Sequence, residues 1–117
     1  MTRISINLNY LIQKNNLTDK ATLTSLFIKN NLTDKDIQEE HLDYGIRDKN
    51  YDYKRINYFI INPEKITTID IDKNNIIIDG LHRIIACYIL KYKTLFVNKR
   101  FNIDVDKKLK KIFNNKE

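Results

Sequence analysis

Cysteine is almost absent from this 117-residue chain: one thiol, Cys87, excludes an internal disulfide framework and any zinc site built on paired cysteines. Tryptophan is missing, there is one proline, and there are only two glycines, Gly45 and Gly80. Long apolar runs are missing too. The longest, Ile84 to Leu90, is about a third of the ~20 residues that a membrane helix needs, so no membrane is expected as a partner. The opening MTRISINLN has no basic flank, apolar core or small-residue cleavage site of a signal peptide, so a cytoplasmic chain is expected. What is present, 42% hydrophobic and 31% charged residues, describes a globular domain of ordinary size.

Charge is unevenly placed. The net charge is +6, and residues 91–117 carry all of it, through Lys91, Lys93, Lys99, Arg100, Lys107, Lys108, Lys110, Lys111 and Lys116 against Asp104, Asp106 and Glu117. Such a segment either attracts a polyanion or serves as a solvated face that keeps a small protein soluble. Abundant Asn, Ile, Lys and Tyr match AT-rich coding of the kind found in viruses and mobile elements.

Arg3 to Leu8 alternates apolar and polar residues, the period of a half-buried strand. The hexapeptide NNLTDK then occurs twice, at Asn15–Lys20 and Asn30–Lys35. Each copy places a threonine, Thr18 or Thr33, before an acidic first turn, which predicts two short helices. The first spans Asp19–Lys29, with Leu23, Leu26 and Phe27 on one face; the second spans Asp34–Tyr44 and closes near Gly45. Residues 46–54 read as a surface loop. Arg55–Ile61, Ile66–Ile71 and Ile76–Ile78 read as strands, separated by turns at Asn62–Glu64 and Asp72–Asn75. After Asp79-Gly80 the period changes. Leu81, Ile84, Ile85, Tyr88, Ile89 and Tyr92 follow helical spacing and predict a helix over Leu81–Tyr92, covered on most sides. A strand at Thr94–Val97 and a basic helix at Val105–Phe113, capped by Asp104, complete an α+β pattern. A small mixed sheet with helices packed on it is expected, as a domain over residues 1–103 followed by a basic C-terminal helix or tail over 104–117.

The chemistry concentrates between the third strand and its helix. Gly80 there either turns a corner or admits a ligand close to the main chain. His82 and Arg83 sit on the first helical turn, where unsatisfied N–H groups and the helix dipole already favour an anion. Arg83 either offers a fork of donors to a phosphate or pairs with an acidic neighbour such as Asp79.

The stretch IIIDGLHRIIACYIL, with its preceding strand and the following TLFV, resembles the ParB/sulfiredoxin-like superfamily. Gly80, His82 and Arg83 match that family's glycine, histidine and arginine over a region of roughly 45 residues. The resemblance implies that Gly80, Leu81, His82 and Arg83 border the phosphates of a nucleotide of the ATP or CTP class. Asp79 and His82 are then the candidate catalytic residues, Asp79 also as a carboxylate linked to Mg2+. Sulfiredoxins carry a catalytic cysteine where this chain has Leu81, so sulfiredoxin activity is not expected. The superfamily's free serine kinases carry a histidine at the same place. The chromosome-partitioning members add a helix-turn-helix domain for which this chain has no room.

Other candidates read more simply as structure. His41 falls on an apolar face, Glu39 and Glu40 are adjacent glutamates on a helix, and Cys87 is a small buried hydrophobe. Tyr51, Tyr53 and Tyr58, interleaved with Lys54 and Arg55, either grip a single strand or pack locally. No P-loop, nucleophilic triad or metal constellation is present. Three functions follow. The first is nucleotide binding with phosphotransfer or nucleotide hydrolysis. The second is nucleic-acid binding or nuclease activity through the same anion site and Lys107, Lys108, Lys110 and Lys111. The third is a catalytically inert interaction protein that meets a protein partner.

Overall fold

The alternation at the N-terminus folds as β1 (Thr2–Asn7), with Ile4 and Ile6 half-buried and Arg3, Ser5 and Asn7 exposed. The computed structural model describes residues 2–31 and 51–108. In them β1 is followed by α1 (Leu8–Lys14), α2 (Thr18–Asn31), α3 (Tyr51–Ile61), β2 (Asp70–Asp72), β3 (Ile77–Asp79), α4 (Leu81–Ile89) and β4 (Thr94–Arg100). The sheet order is β1-β4-β2-β3. β1 and β4 pair antiparallel from Thr2 opposite Lys99 to Asn7 opposite Thr94. β2 lies parallel to β4 and antiparallel to β3. The architecture is the α+β type that the sequence predicts.

Helix α4 is the centre of the packing. Its Ile84 and Cys87 join Leu8, Leu11 and Ile12 of α1 against Ile71, Leu95 and Val97 of the sheet. Its Ile85 and Ala86 meet Ala21 and Ile28 of α2 and Ile56 and Phe59 of α3. Burial on both sides explains why this segment combines helical periodicity with almost continuous apolar character. No helix among the described residues is long and apolar enough to cross a membrane.

Several expectations are corrected. Arg55–Ile61 is not a strand but part of α3, which also takes in Tyr51–Lys54 from the expected loop. Ile56 and Phe59, one helical turn apart, are the buried anchors of that helix. The strand expected over Ile66–Ile71 is restricted to Asp70–Asp72, preceded by a 3-10 turn at Pro63–Lys65. α1 was not expected at all; Asn7 caps it, its Oδ1 accepting the Tyr10 N–H at 2.9 Å. Thr18 lies inside α2 rather than before it, and α2 buries Ala21, Thr24 and Ile28 while Leu23 and Leu26 are 66% and 53% exposed. α4 ends at Ile89, not Tyr92. Lys107 N–H donates to Asp104 Oδ1 at 3.0 Å, so Asp104 caps the helical turn that opens at Val105. The helix expected at Asp34–Tyr44, with Glu39, Glu40 and His41, lies outside the described residues, as does the C-terminal helix beyond Lys108.

A buried carboxylate ties the β2–β3 hairpin to the C-terminal segment. Asp72 is 0% exposed. Its Oδ1 accepts the N–H groups of Asn74 at 2.8 Å and Ile76 at 2.9 Å, and its Oδ2 accepts the Val105 N–H at 2.9 Å. Asp72→Ala leaves three donors without their acceptor and is expected to destabilise the domain by about 3 kcal/mol or more. Asp72→Asn, which keeps one carbonyl acceptor, should lose less. Urea unfolding of the two variants measures the difference.

Candidate functional site

At the end of β3 the chain turns through Gly80, with φ +105° and ψ 22°, directly into α4. A Cβ on Gly80 would lie 3.1 Å from both Cα and Cγ1 of Ile69 and 3.2 Å from the Thr68 carbonyl oxygen. The main chain that approaches this glycine is therefore the protein's own. Both the left-handed backbone and the crowding demand glycine. Gly80→Ala is expected to destabilise by roughly 1–3 kcal/mol and Gly80→Val by more, read from chemical denaturation.

The first intrahelical bond of α4 runs from Ile84 N–H to the Gly80 carbonyl at 3.0 Å. Gly80 brings no side-chain cap and the first turn holds no acidic residue. The positive end of the helix dipole lies at the amides of Leu81, His82 and Arg83, with Asp79 one residue before the cap and Asp52 against His82. It faces a cavity of about 540 Å³. One wall is the turn itself, Asp79 to Arg83; Arg55 and Phe59 of α3 form another, and Asn15 and Leu17 close the side.

Two guanidinium groups flank one ring across this cavity. The Arg83 guanidinium lies 5.1 Å and that of Arg55 6.0 Å from the centroid of Phe59. One Arg83 nitrogen also donates to the Thr68 carbonyl at 2.8 Å. Such like charges, held close beside a helix N-terminus, raise the local attraction for an anion.

His82 meets Asp52 of α3, with Nε2 2.9 Å from Oδ1. Burial holds the histidine below its ordinary value of 6.5; the hydrogen bond and charge of Asp52 oppose this, while Arg55 and Lys20 push it further down. The ring is therefore neutral at pH 7, with its proton on the nitrogen facing Asp52 and the basic lone pair on Nδ1. A lowered folded-state value means that the unfolded chain binds this proton more readily. The stability that depends on neutral His82 is complete above 6.5 and falls as the pH drops through the window just below it. The melting temperature of the native chain should decline across that window more steeply than that of His82→Asn.

The expected site residues Asp79, Gly80, Leu81, His82 and Arg83 all line this one cavity. Lys107 and Lys108 are exposed and border a separate cavity of about 310 Å³ beside Lys73 and Phe101; Lys110 and Lys111 lie outside the described residues. Arg55 and Asp52 join the site with little signal in the local sequence, because their helix has the pattern of a loop and a strand. Helical spacing of Tyr53, Ile56 and Ile60 is the signal available. Of the interleaved tyrosines, Tyr53 stacks on Phe27 with centroids 4.1 Å apart and Tyr58 packs edge-on against Phe59, the local packing that the sequence also allows. Cys87 is 1% exposed, and burial raises its thiol to about 11, so it is a core group rather than a nucleophile.

No group of three or more His, Cys, Asp or Glu among the described residues is placed to hold a metal ion. No protein-family model, curated protein or solved structure matches the chain. The resemblance of Asp79–Arg83 to the ParB/sulfiredoxin-like pattern rests on the motif alone.

Proposed function

We propose that the chain binds a nucleotide, of the ATP or CTP class, with its phosphates at the N-terminus of α4. The observation that carries this reading is the convergence of Arg55, Arg83, His82 and the open first turn on one cavity. Its volume of about 540 Å³ falls within the ~300–1,000 Å³ usual for small-molecule sites. Phosphate oxygens take the amides of the first turn and the two guanidinium groups, while the side chains of Asn15, Leu17 and Ile78 meet the nucleoside. His82, oriented by Asp52, accepts a proton from an attacking hydroxyl or water in a phosphotransfer or hydrolysis step. Asp79 is the only carboxylate among the described lining residues, so Mg2+ would be held chiefly by the phosphates and only once by protein.

A second reading has an observation of its own. The bond from Arg83 to Thr68 and its contact with Phe59 suit an arginine that braces the fold of an inert interaction protein. Thermal shift with nucleotides and pyrophosphate, with and without Mg2+, separates the two, because a ligand of the native state raises its melting temperature. The nucleotide reading expects a rise in the native chain. It also expects Arg83→Ala and Arg55→Ala each to weaken binding roughly tenfold to a hundredfold, since a charge-assisted hydrogen bond contributes about 1.5–3 kcal/mol. The bracing reading expects no nucleotide response and a lowered melting temperature for Arg83→Ala alone.

A further inference from the structure

The far end of α4 carries a different surface. Lys91 has φ +64°, the left-handed conformation that helix ends ordinarily assign to Gly or Asn. Its N–H bonds the Tyr88 carbonyl and the Tyr92 N–H bonds the Cys87 carbonyl, both at 3.1 Å, the paired bonds of a Schellman motif. A lysine is strained there where a glycine would not be. The arrangement sets Lys91, Tyr92 and Lys93, all exposed, at the negative end of the helix dipole.

Tyr92 joins two cavities, one of about 640 Å³ shared with Lys91 and Lys93 and one of about 290 Å³ shared with Arg3, Thr94 and Phe96. Phe96 lies on an interior strand of the sheet yet is 62% exposed, and Tyr92 is 42% exposed. Register puts Phe96 opposite Ser5 and Asn98 opposite Arg3, so these side chains share the outer face. The Arg3 guanidinium lies 5.2 Å from the Phe96 centroid. Among the described residues neither cavity is lined by an Asp or Glu.

We propose that Lys91, Tyr92, Lys93, Phe96 and Arg3 form a track for single-stranded nucleic acid. Bases stack on Tyr92 and Phe96, and the three cations pair with the backbone phosphates between them. Exposed aromatic rings alternating with cations, with hydroxyl and amide side chains beside them and the nearby carboxylate of Asp70 buried and paired with Asn98 and Arg100, are the features that suit unstacked bases. A duplex, whose bases are already stacked on one another, offers no face to either ring.

Fluorescence anisotropy with labelled oligo-U and oligo-dT of roughly a dozen nucleotides tests the track. Binding is expected at low salt, weakening steeply between about 50 and 200 mM, and weaker for a duplex of the same length. Phe96→Ala and Tyr92→Ala, both exposed positions, should each lower affinity roughly tenfold to a hundredfold, with Phe96→Trp retaining it. Lys91→Gly should raise the melting temperature by relieving the left-handed strain and still weaken oligonucleotide binding. Absence of binding at low salt overturns the proposal, as does binding that survives both aromatic variants or is lost only when Lys107 and Lys108 become alanine. A dimer by sedimentation that Phe96→Ala dissociates also overturns it, by making this face a contact between copies of the chain.

Discussion

Where β3 gives way to α4, the backbone of Thr68 and Ile69 occupies the space in which any other residue than Gly80 would put its Cβ. That close approach fixes the direction in which α4 leaves the sheet, and the rest of the site is built outward from it. The Thr68 carbonyl that crowds Gly80 also accepts from Arg83. Arg83 in turn lies over Phe59, the buried anchor of α3. Through Phe59 the position of α3 is set, and with it Arg55 beside the same ring and Asp52 against His82. A cavity lined from three elements is thus held by one glycine and the segment packed on it.

That dependence explains what the sequence shows and what it hides. The corner and α4 are legible because the signal is local: a scarce glycine, then Leu81, Ile84, Ile85 and Tyr88 at helical spacing. The residues on that turn were recognisable for the same reason. α3 was not legible, because Ile56, Tyr58, Phe59 and Ile60 have strand-forming side chains, and burial of Ile56 and Phe59 against α2 and α4 overrides that preference. α2 was placed correctly but turned. Its Leu23 and Leu26 face outward while Ala21, Thr24 and Ile28, at i, i+3 and i+7, form the buried face. Two sets, one with Ala21, Thr24 and Ile28 and one with Leu23, Leu26 and Phe27, both follow helical spacing, and periodicity alone does not rank them. Asp52 and Arg55 were hidden with α3, so the half of the site contributed by tertiary contact was the half that could not be read.

Charge is redistributed in a similar way. In the sequence, residues 91–117 look like one basic tail. In the fold Arg100 is drawn into a pair with the buried Asp70, 3.1 Å away, where Asn98 also donates. Lys73 joins Lys107 and Lys108 on one patch, and Lys91 and Lys93 lie at the end of α4 with Arg3 added from β1. Val105 is tied to the β2–β3 hairpin, since its N–H is one of three that Asp72 accepts. Loss of that bond would uncover part of a buried carboxylate and so disturb the hairpin that leads to Gly80.

The two sites proposed at the ends of α4 would meet anions by different physics. At its N-terminus the dipole, the first-turn amides and half-buried guanidinium groups would act together in one open cavity. Screening by salt is weak for such charges. At its C-terminus the dipole is unfavourable to an anion, and attraction rests wholly on exposed lysines and Arg3, with stacking supplied by Tyr92 and Phe96. Those charges are screened more than the half-buried ones, so affinity there should fall more steeply with ionic strength than affinity in the cavity. A strained lysine at the left-handed position offsets the negative end of the dipole where glycine would have ended the helix without strain. Salt dependence, rather than affinity, is thus the property that tells the two surfaces apart.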